Sequence, residues 1–575
     1  MNKTIILIVL FLLCFTTIYS QNIIIGIVVD NNSESPLSNV FVRVKNTNVT
    51  TKSDINGFFQ LKDLSNGSCV LEIKFNGFET QNFPIELSGK TLDLGSIILY
   101  KDITEEQDLS IITITDDELN NDASAADNIS GLLHASKDIF LRTAAFEFSS
   151  SFFRIKGLDS GYGKVLINGI EMNKLYDGRA QWSNWGGLND VLRNQEFSNG
   201  LSPSNFTFGG VLGSTNMDTR ASQQRPGTRI SYSSSNRSYE HRVMATHSTG
   251  ISEKGWAMTF SASRRLGNEG FNEGTSYNAY AVFASIEKKI NDNHSLNFTG
   301  IFTPNRRGKS SPNTQEVYDL KDIKYNEYWG YQDGDKRNSR VKRLVEPIVM
   351  LNHYWTISDK TNLNTNFGYQ FGELGNSRLD YAGGANPSPS YYQDLPSYYL
   401  ADNNGPDYEG AYLAQQNFEN DGQINWNRIY DANLTNSVAN ENAAYVQYED
   451  RSDDKQLTIN TIFKKEFNDN ISFNSTLNYK KLVSNNFAQI TDMLGGSGYS
   501  NIDSFDNLQY DLLNPNLIVG EGDKFKYNYN LFADVITAYS QVVFKYNKLD
   551  FYLAASYTDT NYQREGLFDN EANTG

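Results

Sequence analysis

Residues Ile471-Ser472-Phe473-Asn474-Ser475-Thr476-Leu477-Asn478-Tyr479 decide the fold, because apolar and polar side chains alternate along them. A period of two places all the apolar side chains on one face of a β-strand. The same alternation runs through Leu363–Phe371 and recurs in strand after strand from residue 228 onward. Each of these strands has one polar face, and there are more of them than the two sheets of an ordinary β-sandwich contain. The pattern therefore predicts a transmembrane antiparallel β-barrel with an apolar outer face and a polar lumen.

The barrel region, residues 228–575, shows a regular alternation of turn and loop lengths. We place its strands at 228–236, 239–248, 255–267, 278–289, 294–304, 347–357, 361–372, 456–466, 471–484, 533–546 and 549–560. Short turns alternate with long loops at about 305–346, 373–455 and 485–532. Outer-membrane barrels have short periplasmic turns and long external loops in this order, so we expect the long loops at one end.

The number of predicted strands is odd, and the chain ends at Gly575 in a polar segment. Single-chain bacterial barrels normally have an even number of strands. We therefore expect the sequence to be C-terminally truncated and to hold the N-terminal part of a plugged barrel of about 22 strands.

The composition agrees with a membrane barrel and excludes one class of partner. The 575 residues include 34 Tyr and 34 Phe, and such aromatic residues form the girdles of membrane barrels. The net charge of −17 argues against a nucleic-acid ligand, because phosphate binding requires a basic surface.

The first 20 residues predict export. One lysine, an apolar run from Ile5 to Ile18 and a cleavage position after Ser20 form a signal peptide, residues 1–20. An uncleaved anchor helix is the alternative, although the run is short for a membrane span. The mature chain then keeps Cys69 alone, so no intramolecular disulfide can form.

Residues 22–100 predict a small all-β domain, with strands near Ile23–Val29, Val40–Lys45, Gly57–Leu61, Cys69–Phe75 and Leu92–Leu99. The segments Gly26–Asp30, Pro36–Val40 and Asp54–Phe59 resemble the carboxypeptidase-regulatory-like domain, which implies a transthyretin-like β-sandwich. No histidine precedes His134, so zinc ligands are missing and we interpret the domain as a non-catalytic adaptor.

Residues 101–115 form an acidic and then extended linker, and residues 116–226 predict a mixed α/β unit. That unit should contain a helix over 126–136 and strands at 153–156 and 165–167. Asn168-Gly169 is a strong hairpin-turn sequence, because both residues tolerate a positive φ.

Three segments of this unit resemble the plug domain of TonB-dependent receptors: Phe152–Gly157, Lys164–Met172 and Gly209–Met217. The residues that match the plug motif are Arg154, Gly157, Asn168 and Gly169. The ending Met217–Arg220 departs slightly from the usual apolar-Thr-Lys pattern. Together with the N-terminal domain and the barrel, the resemblance covers essentially the whole mature chain.

The resemblance implies a receptor or transporter in the outer membrane of a Gram-negative cell, with its N-terminal domain in the periplasm. Such a protein binds a scarce extracellular ligand and imports it with energy from TonB and its inner-membrane complex. Its partners would be TonB, outer-membrane lipid and a small-molecule, glycan or peptide ligand. Siderophore, glycan, cobalamin and peptide all remain open as substrates, and so does a surface lipoprotein partner.

In this family TonB binds an extended segment before the plug by strand addition, which uses main-chain hydrogen bonds. The candidate contact residues here are Leu109, Ile111, Ile112, Thr113 and Ile114, which depart from the usual acidic, valine-rich sequence. A solvated linker or the first strand of the plug is the alternative interpretation.

Aromatic residues in the long loops are candidates for ligand contact, because rings with polar tips suit a wet binding surface. The candidates are Tyr391, Tyr392, Tyr398, Tyr399 and Trp426. Alternatively, these rings pack on one another above the barrel. The acidic pairs Asp333/Asp335 and Asp453/Asp454 match no calcium-loop spacing, and we expect them to be solvated surface.

The sequence offers no catalytic residues, metal ligands or cofactor motif. The histidines are scattered, at His134, His241, His247, His294 and His353, and Gly495–Gly498 lacks the spacing of a nucleophile elbow. We therefore expect a protein that is not an enzyme. A non-transporting surface adhesin or assembly barrel is the main alternative, and an outer-surface hydrolase would require catalytic groups that the sequence does not present.

Overall fold

The computed structural model of the protein describes residues 22–30, 36–45, 47, 49–75, 78, 80–100, 111–113, 158–198, 200, 202–234, 239–401, 405–468, 470–546 and 548–573. The predicted signal peptide, the helix over 126–136, the strand at 153–156, Leu109, Ile114, Arg154 and Gly157 lie outside these residues. The chain divides into two compact units, residues 1–113 and 114–575.

The described part of the first unit is a β-sandwich, as the sequence predicts. Its strands are β1 Asn22–Asp30, β2 Phe41–Val44, β3 Thr50–Lys52, β4 Phe58–Leu64, β5 Gly67–Lys74, β6 Gln81–Leu87 and β7 Thr91–Leu99. They form two sheets, in the orders β4-β1-β7 and β3-β2-β5-β6. Fully buried apolar side chains such as Ile24, Val42 and Leu71 fill the space between the sheets. A further short strand, β8, covers Ile111–Thr113.

Strands β3 and β6 were not predicted from the sequence. Strand β6 contains Pro84, which normally argues against a strand because proline cannot donate a backbone hydrogen bond. Since β6 is the edge strand of its sheet and pairs with β5 alone, the missing donor faces outward at no cost.

Residues 158–226 form the described part of the predicted plug, which we call the plug segment. It contains β9 Lys164–Ile167, β10 Ile170–Glu171, β11 Asn194–Ser198 and β12 Ser214–Met217. Strand β9 lies between β10 and β12, antiparallel to the former and parallel to the latter. The predicted strand at 165–167 is confirmed as β9, and β12 lies within the segment Gly209–Met217.

A large antiparallel sheet, which we call the wall, occupies the rest of the second unit. Its path follows β13 Gly227–Ser234, β14 His241–Ser248, β15 Trp256–Gly267, β16 Tyr277–Lys289, β17 His294–Phe302, β22 Ile348–Ser358, β23 Thr361–Tyr381, β24 Tyr445–Asn468, β25 Ile471–Asp492, β28 Lys524–Tyr546 and β29 Leu549–Gly566. These are the predicted strands in the predicted order. Since neighbours on the path are antiparallel, the three long connections lie at one end, which we call the long-loop end.

Two adjacent rows of side chains show how the wall is oriented. One row pairs across neighbouring strands as Phe298, Leu351, Phe367, Ile459, Tyr479 and Ile536, most of them more than 40% exposed. One residue away, the row Asn297, Asn352, Asn366, Asn460 and Asn478 lies on the opposite face. The first four of these asparagines are buried. Large apolar side chains outside and buried amides inside are the reverse of a soluble protein, and are what a barrel in lipid requires.

Strands β23, β24, β25 and β28 are 21–24 residues long, about twice the length that crosses a bilayer. The predicted strands fall up to 11 residues short at the long-loop end, as in β24, which begins at Tyr445 and not at residue 456. The reason is that both faces carry polar residues beyond the apolar band. Residues 449–454, Glu-Asp-Arg-Ser-Asp-Asp, show no alternation, yet they pair in register with β23 and β25.

The long connections also contain secondary structure that the sequence analysis treated as loop. They hold the short strands β18 Asn305–Gly308, β19 Trp329–Gln332, β20 Asp335–Asn338, β21 Val341–Val345, β26 Tyr499–Ser500 and β27 Ile518–Val519. They also hold the helices α1 Gln315–Leu320, α2 Pro396–Leu400, α3 Tyr408–Asp421 and α4 Trp426–Val438. Of the helices in the described ranges, none has the length and apolarity needed to cross a bilayer.

The wall is open in this chain. Among the described strands, β13 pairs with β14 and β29 with β28, and each leaves its other edge without a neighbour. Nearly every residue of β29 is exposed on both faces, in contrast to the preceding strands.

Candidate functional site

The Asn168-Gly169 turn joins β9 and β10 and contacts the inner face of the wall. Both residues adopt a positive φ, +51° and +78°, as the sequence predicts for this hairpin turn. The backbone N–H of Gly169 donates to Asn216 Oδ1 at 2.8 Å, and Asn168 Oδ1 accepts from the N–H of Thr219 at 2.8 Å. A Cβ at Gly169 would lie 2.6 Å from Ile462 Cδ1, so the turn and the wall are in close contact here.

The row of buried asparagines on the wall receives this turn. Asn352 Nδ2 donates to Asn366 Oδ1 at 2.8 Å, and Asn366 Nδ2 donates to Asn460 Oδ1 at 2.7 Å. The chain of amides ends on the plug segment, where Asn460 Nδ2 donates to the carbonyl of Gly169 at 2.8 Å. Because each amide is both donor and acceptor, the row is continuous across three strands and fixes the turn.

A buried ion cluster joins the plug segment to the wall nearer the long-loop end. Lys174 Nζ lies 2.6 Å from Glu346 Oε1 and 2.9 Å from Asp454 Oδ2, and the three side chains are only 5%, 1% and 3% exposed. Asn184 Nδ2 also donates to Glu346 Oε2 at 2.7 Å. Burial lowers the pKa of Lys174, but the two carboxylates raise it above its ordinary value. The expectation that Asp454 is solvated surface is wrong, because the plug segment covers it.

Two further ion pairs of the same kind lie along the contact. Lys480 Nζ of the wall is 3.3 Å from Glu171 Oε1, which also contacts Lys164 Nζ at 2.7 Å. Burial would raise the pKa of Glu171, but Lys480 and Lys164 lower it to about 2. Arg220 lies 2.6 Å from Glu287 on the wall.

The contact has an apolar side as well. Trp185, Leu188 and Val191 of the plug segment are buried in one cluster with inward side chains of β16, β17 and β22. Those wall residues are Ala281, Phe283, Ile301, Ile348 and Met350. The plug segment is therefore bound to β16, β17 and β22 by apolar packing together with polar contacts such as Arg220–Glu287, and to β24 and β25 by amides and ions.

The candidate ligand-contact tyrosines lie together at the long-loop end. The rings of Tyr391, Tyr392, Tyr398 and Tyr399 form a chain of edge-to-face contacts with centroid distances of 4.8, 5.7 and 5.5 Å. Tyr392 and Tyr398 are 58% and 45% exposed, so the group both packs on itself and presents two rings to solvent.

Trp426 does not join these tyrosines, which corrects its assignment as a ligand-contact candidate. It is fully buried at the start of α4. Its indole Nε1 donates to the carbonyl of Arg337 at 3.2 Å, and the Arg337 guanidinium lies 4.3 Å from the ring centre. A tryptophan in a polar stretch gives no sequence signal that separates these two roles.

No group of three or more His, Cys, Asp or Glu side chains in the described part of the chain is arranged to hold a metal ion. Strand pairing does bring together His294 and His353, whose ring nitrogens Nδ1 and Nε2 lie 3.0 Å apart. The histidines look scattered in the sequence, because the spacing between them does not show this pairing.

The first unit matches a known domain family. Residues 24–111 match the family model described as CarboxypepD_reg-like domain, in agreement with the resemblance seen in the sequence. No curated protein matches the chain in sequence.

The chain is also similar to solved structures of an import receptor, a transporter and an outer-membrane receptor. The ferric-catecholate import receptor Fiu from E. coli K12 shares 12% identity, covering 73% of this chain and 51% of Fiu, with a TM-score of 0.43. The ferric citrate transporter FecA shares 9% identity over 71% and 49%, with a TM-score of 0.43. The ferripyoverdine receptor of the Pseudomonas aeruginosa outer membrane shares 11% identity over 71% and 46%, with a TM-score of 0.42. The chain spans about half the length of these receptors.

Proposed function

We propose that this chain is the N-terminal part of a TonB-dependent outer-membrane receptor that binds a scarce extracellular ligand and imports it into the periplasm. One observation carries the proposal: a plug segment is fixed by buried amides and ions to the polar inner face of a sheet whose outer face is apolar. In this proposal the protein binds and passes its ligand without converting it.

The outer membrane has no ATP and no ion gradient, so a plugged barrel needs energy from a partner that reaches across the periplasm. The candidate contact is the segment from Leu109 to Ile114, of which the strand Ile111–Thr113 is described. The N-terminal sandwich and the short turns of the wall would then face the periplasm, and the long-loop end would face outward.

The ligand would first meet the long connections. Tyr392 and Tyr398 present exposed rings there, and their hydroxyl groups can bind polar ligands while the rings stack. The plug segment would close the path of the ligand, because the ion pairs of Lys174 with Glu346 and Asp454 hold it to the wall. Import would then require these buried contacts to break, which is the step for which TonB supplies work.

The test is photo-crosslinking of the full-length protein to the purified periplasmic domain of TonB. We expect a crosslink that is lost when residues 105–115 are deleted and kept when residues 101–104 are replaced by Gly and Ser. In cells, the same deletion should abolish uptake of cargo while leaving surface binding intact.

Uptake that survives the deletion with binding intact would refute the transporter. A non-transporting surface adhesin or an assembly barrel predicts surface binding without uptake, both in the wild-type protein and in the deletion variant. Equal crosslinking of the deletion variant and its control would refute the assigned TonB contact.

A further inference from the structure

A group of cationic side chains lies on the inner face of the wall, beyond the plug segment. Asp454 faces inward, because it contacts Lys174, and Asp450 lies four residues earlier on the same strand and therefore on the same face. Asp450 is directly opposite Asn376 of β23, and Lys309 Nζ donates to Asn376 Oδ1 at 2.6 Å. Lys309 thus lies on the inner face, nearer the long-loop end than the plug contact.

Arg340 belongs to the same group. Its carbonyl accepts from the N–H of Lys309 at 2.8 Å, and its guanidinium lies 5.3 Å from the ring centre of Tyr328. Arg378 stands two residues from Asn376 on the same face of β23 and is ion-paired with Asp450. In the described part of the chain, neither Lys309 nor Arg340 forms an ion pair with a carboxylate.

The outer face of the wall at the same height is arranged differently. Arg343 is paired with Glu373 at 2.8 Å, and Arg451 is paired with Glu373 and with Asp453. These residues have the opposite strand parity to Asp450 and Asp454, so they point away from the plug segment. On the outer face Arg343 and Arg451 are thus paired with carboxylates, whereas on the inner face, among the described residues, Lys309 and Arg340 are not.

The electrostatics of Lys309 reflect this excess of positive charge. Burial, followed by the neighbouring Arg307, Arg378 and Arg340, lowers the pKa of Lys309 to about 8, although the Asp450 carboxylate acts in the opposite direction. Burial and Arg378 also lower the pKa of Arg340, against the smaller opposing effects of Tyr328, Tyr448 and Glu327. An anion placed between the two side chains would relieve this repulsion and form charge-assisted hydrogen bonds.

We propose that Lys309 and Arg340 form a binding site for an oxyanion group of the ligand, a carboxylate or a phosphate. Tyr328 lies under the Arg340 guanidinium and supports one side of the site. The inference rests on the proposed function in one respect, namely that the ligand passes through this end of the lumen. It narrows the open substrate classes to ligands that carry negative charge.

Isothermal titration of the full-length protein at pH 7 tests the site with three probes: tricarballylate, pyrophosphate and the neutral sugar maltotriose. We expect at least one anion to bind, and the preferred anion distinguishes a carboxylate ligand from a phosphate ligand. Loss of a charge-assisted contact in K309Q or R340Q should weaken that binding about tenfold or more. The matched control R343Q removes an outer-face arginine and should leave the affinity unchanged.

The pH dependence provides a second readout. The charged amine of Lys309 binds the anion, so affinity should fall as the pH rises from 7 to 9, through the pKa of this group. K309R keeps its charge and should lose this dependence while still binding.

Three results would overturn the site. The first is that the wild-type protein binds no anion, and the second is that it binds maltotriose instead of an anion, with K309Q leaving that binding intact. The third result is that R343Q weakens anion binding as much as K309Q and R340Q do. These failures are distinct from failure of the proposed function. Loss of anion binding with an intact TonB crosslink refutes the site alone, whereas anion binding without a TonB crosslink refutes the transporter alone.

Discussion

Replacing Lys174 by methionine should release the plug segment from the long-loop side of the wall. The change leaves Glu346 and Asp454 as two buried carboxylates that are 1% and 3% exposed and have no cation between them. Removing one partner of a buried ion pair costs about 3–5 kcal/mol. At about 1.4 kcal/mol per factor of ten, the population with the contact open should rise roughly a hundredfold to several thousandfold.

The measurement is hydrogen exchange of the plug amides in the full-length protein, supported by single-channel conductance in planar bilayers. K164M is the matched control. Lys164 is 34% exposed, and its partner Glu171 keeps Lys480, so this change should cost less than about 1 kcal/mol. Equal protection of the plug in K174M and K164M would refute the assignment of Lys174 as the principal contact. Partial recovery of plug protection in the triple variant K174M/E346Q/D454N would show that the uncompensated carboxylate charges cause the loss of protection in K174M.

Three other changes probe separate parts of the structure. N366L should weaken plug protection by about 1–3 kcal/mol, since it leaves buried amide groups without partners; N478L, at the edge of the same row, should have less effect. Folding lowers the pKa of Glu171 to about 2, so the ionised carboxylate stabilises the folded protein fully at pH values above its unfolded pKa near 4.3. This stabilisation should disappear as the pH falls towards 2. Hydrogen exchange of the plug amides, measured along an acid titration, would show the loss. W426A should cost about 3–5 kcal/mol in local stability of the long-loop end, whereas Y392A, at an exposed ring, should leave thermal unfolding unchanged.

The strands of the wall follow from the sequence because one physical constraint acts on each of them. Along the row from Phe298 to Ile536, one face of each strand is apolar and turned outward, and the other faces a wet lumen. A two-residue period in the sequence follows from both requirements. Beyond the apolar band neither face has to be apolar. The alternation therefore stops where the strand continues, and the strand ends at the long-loop end could not be read from the sequence.

The partners of the plug segment were equally hidden. Asn168-Gly169 is recognisable because a turn is a local property of adjacent residues. Lys174 and Asp454 are 280 residues apart, and a single aspartate in a run of charged residues looks the same whether it is solvated or buried. Their pairing depends on the register between β24 and the plug segment, which no local pattern encodes.

The two sides of the plug contact should respond to different solvent conditions. Packing of Trp185 and Leu188 against Phe283 depends on the hydrophobic effect, which weakens on cooling and in chaotropic solutes. The amide and ion contacts of Asn460 and Lys174 can instead be replaced by water molecules, one partner at a time. Water entering the second side would solvate the groups it uncovers. The plug could then loosen along β24 and β25 while its apolar packing on β16, β17 and β22 holds, so that a wet passage opens beside a segment that is still attached.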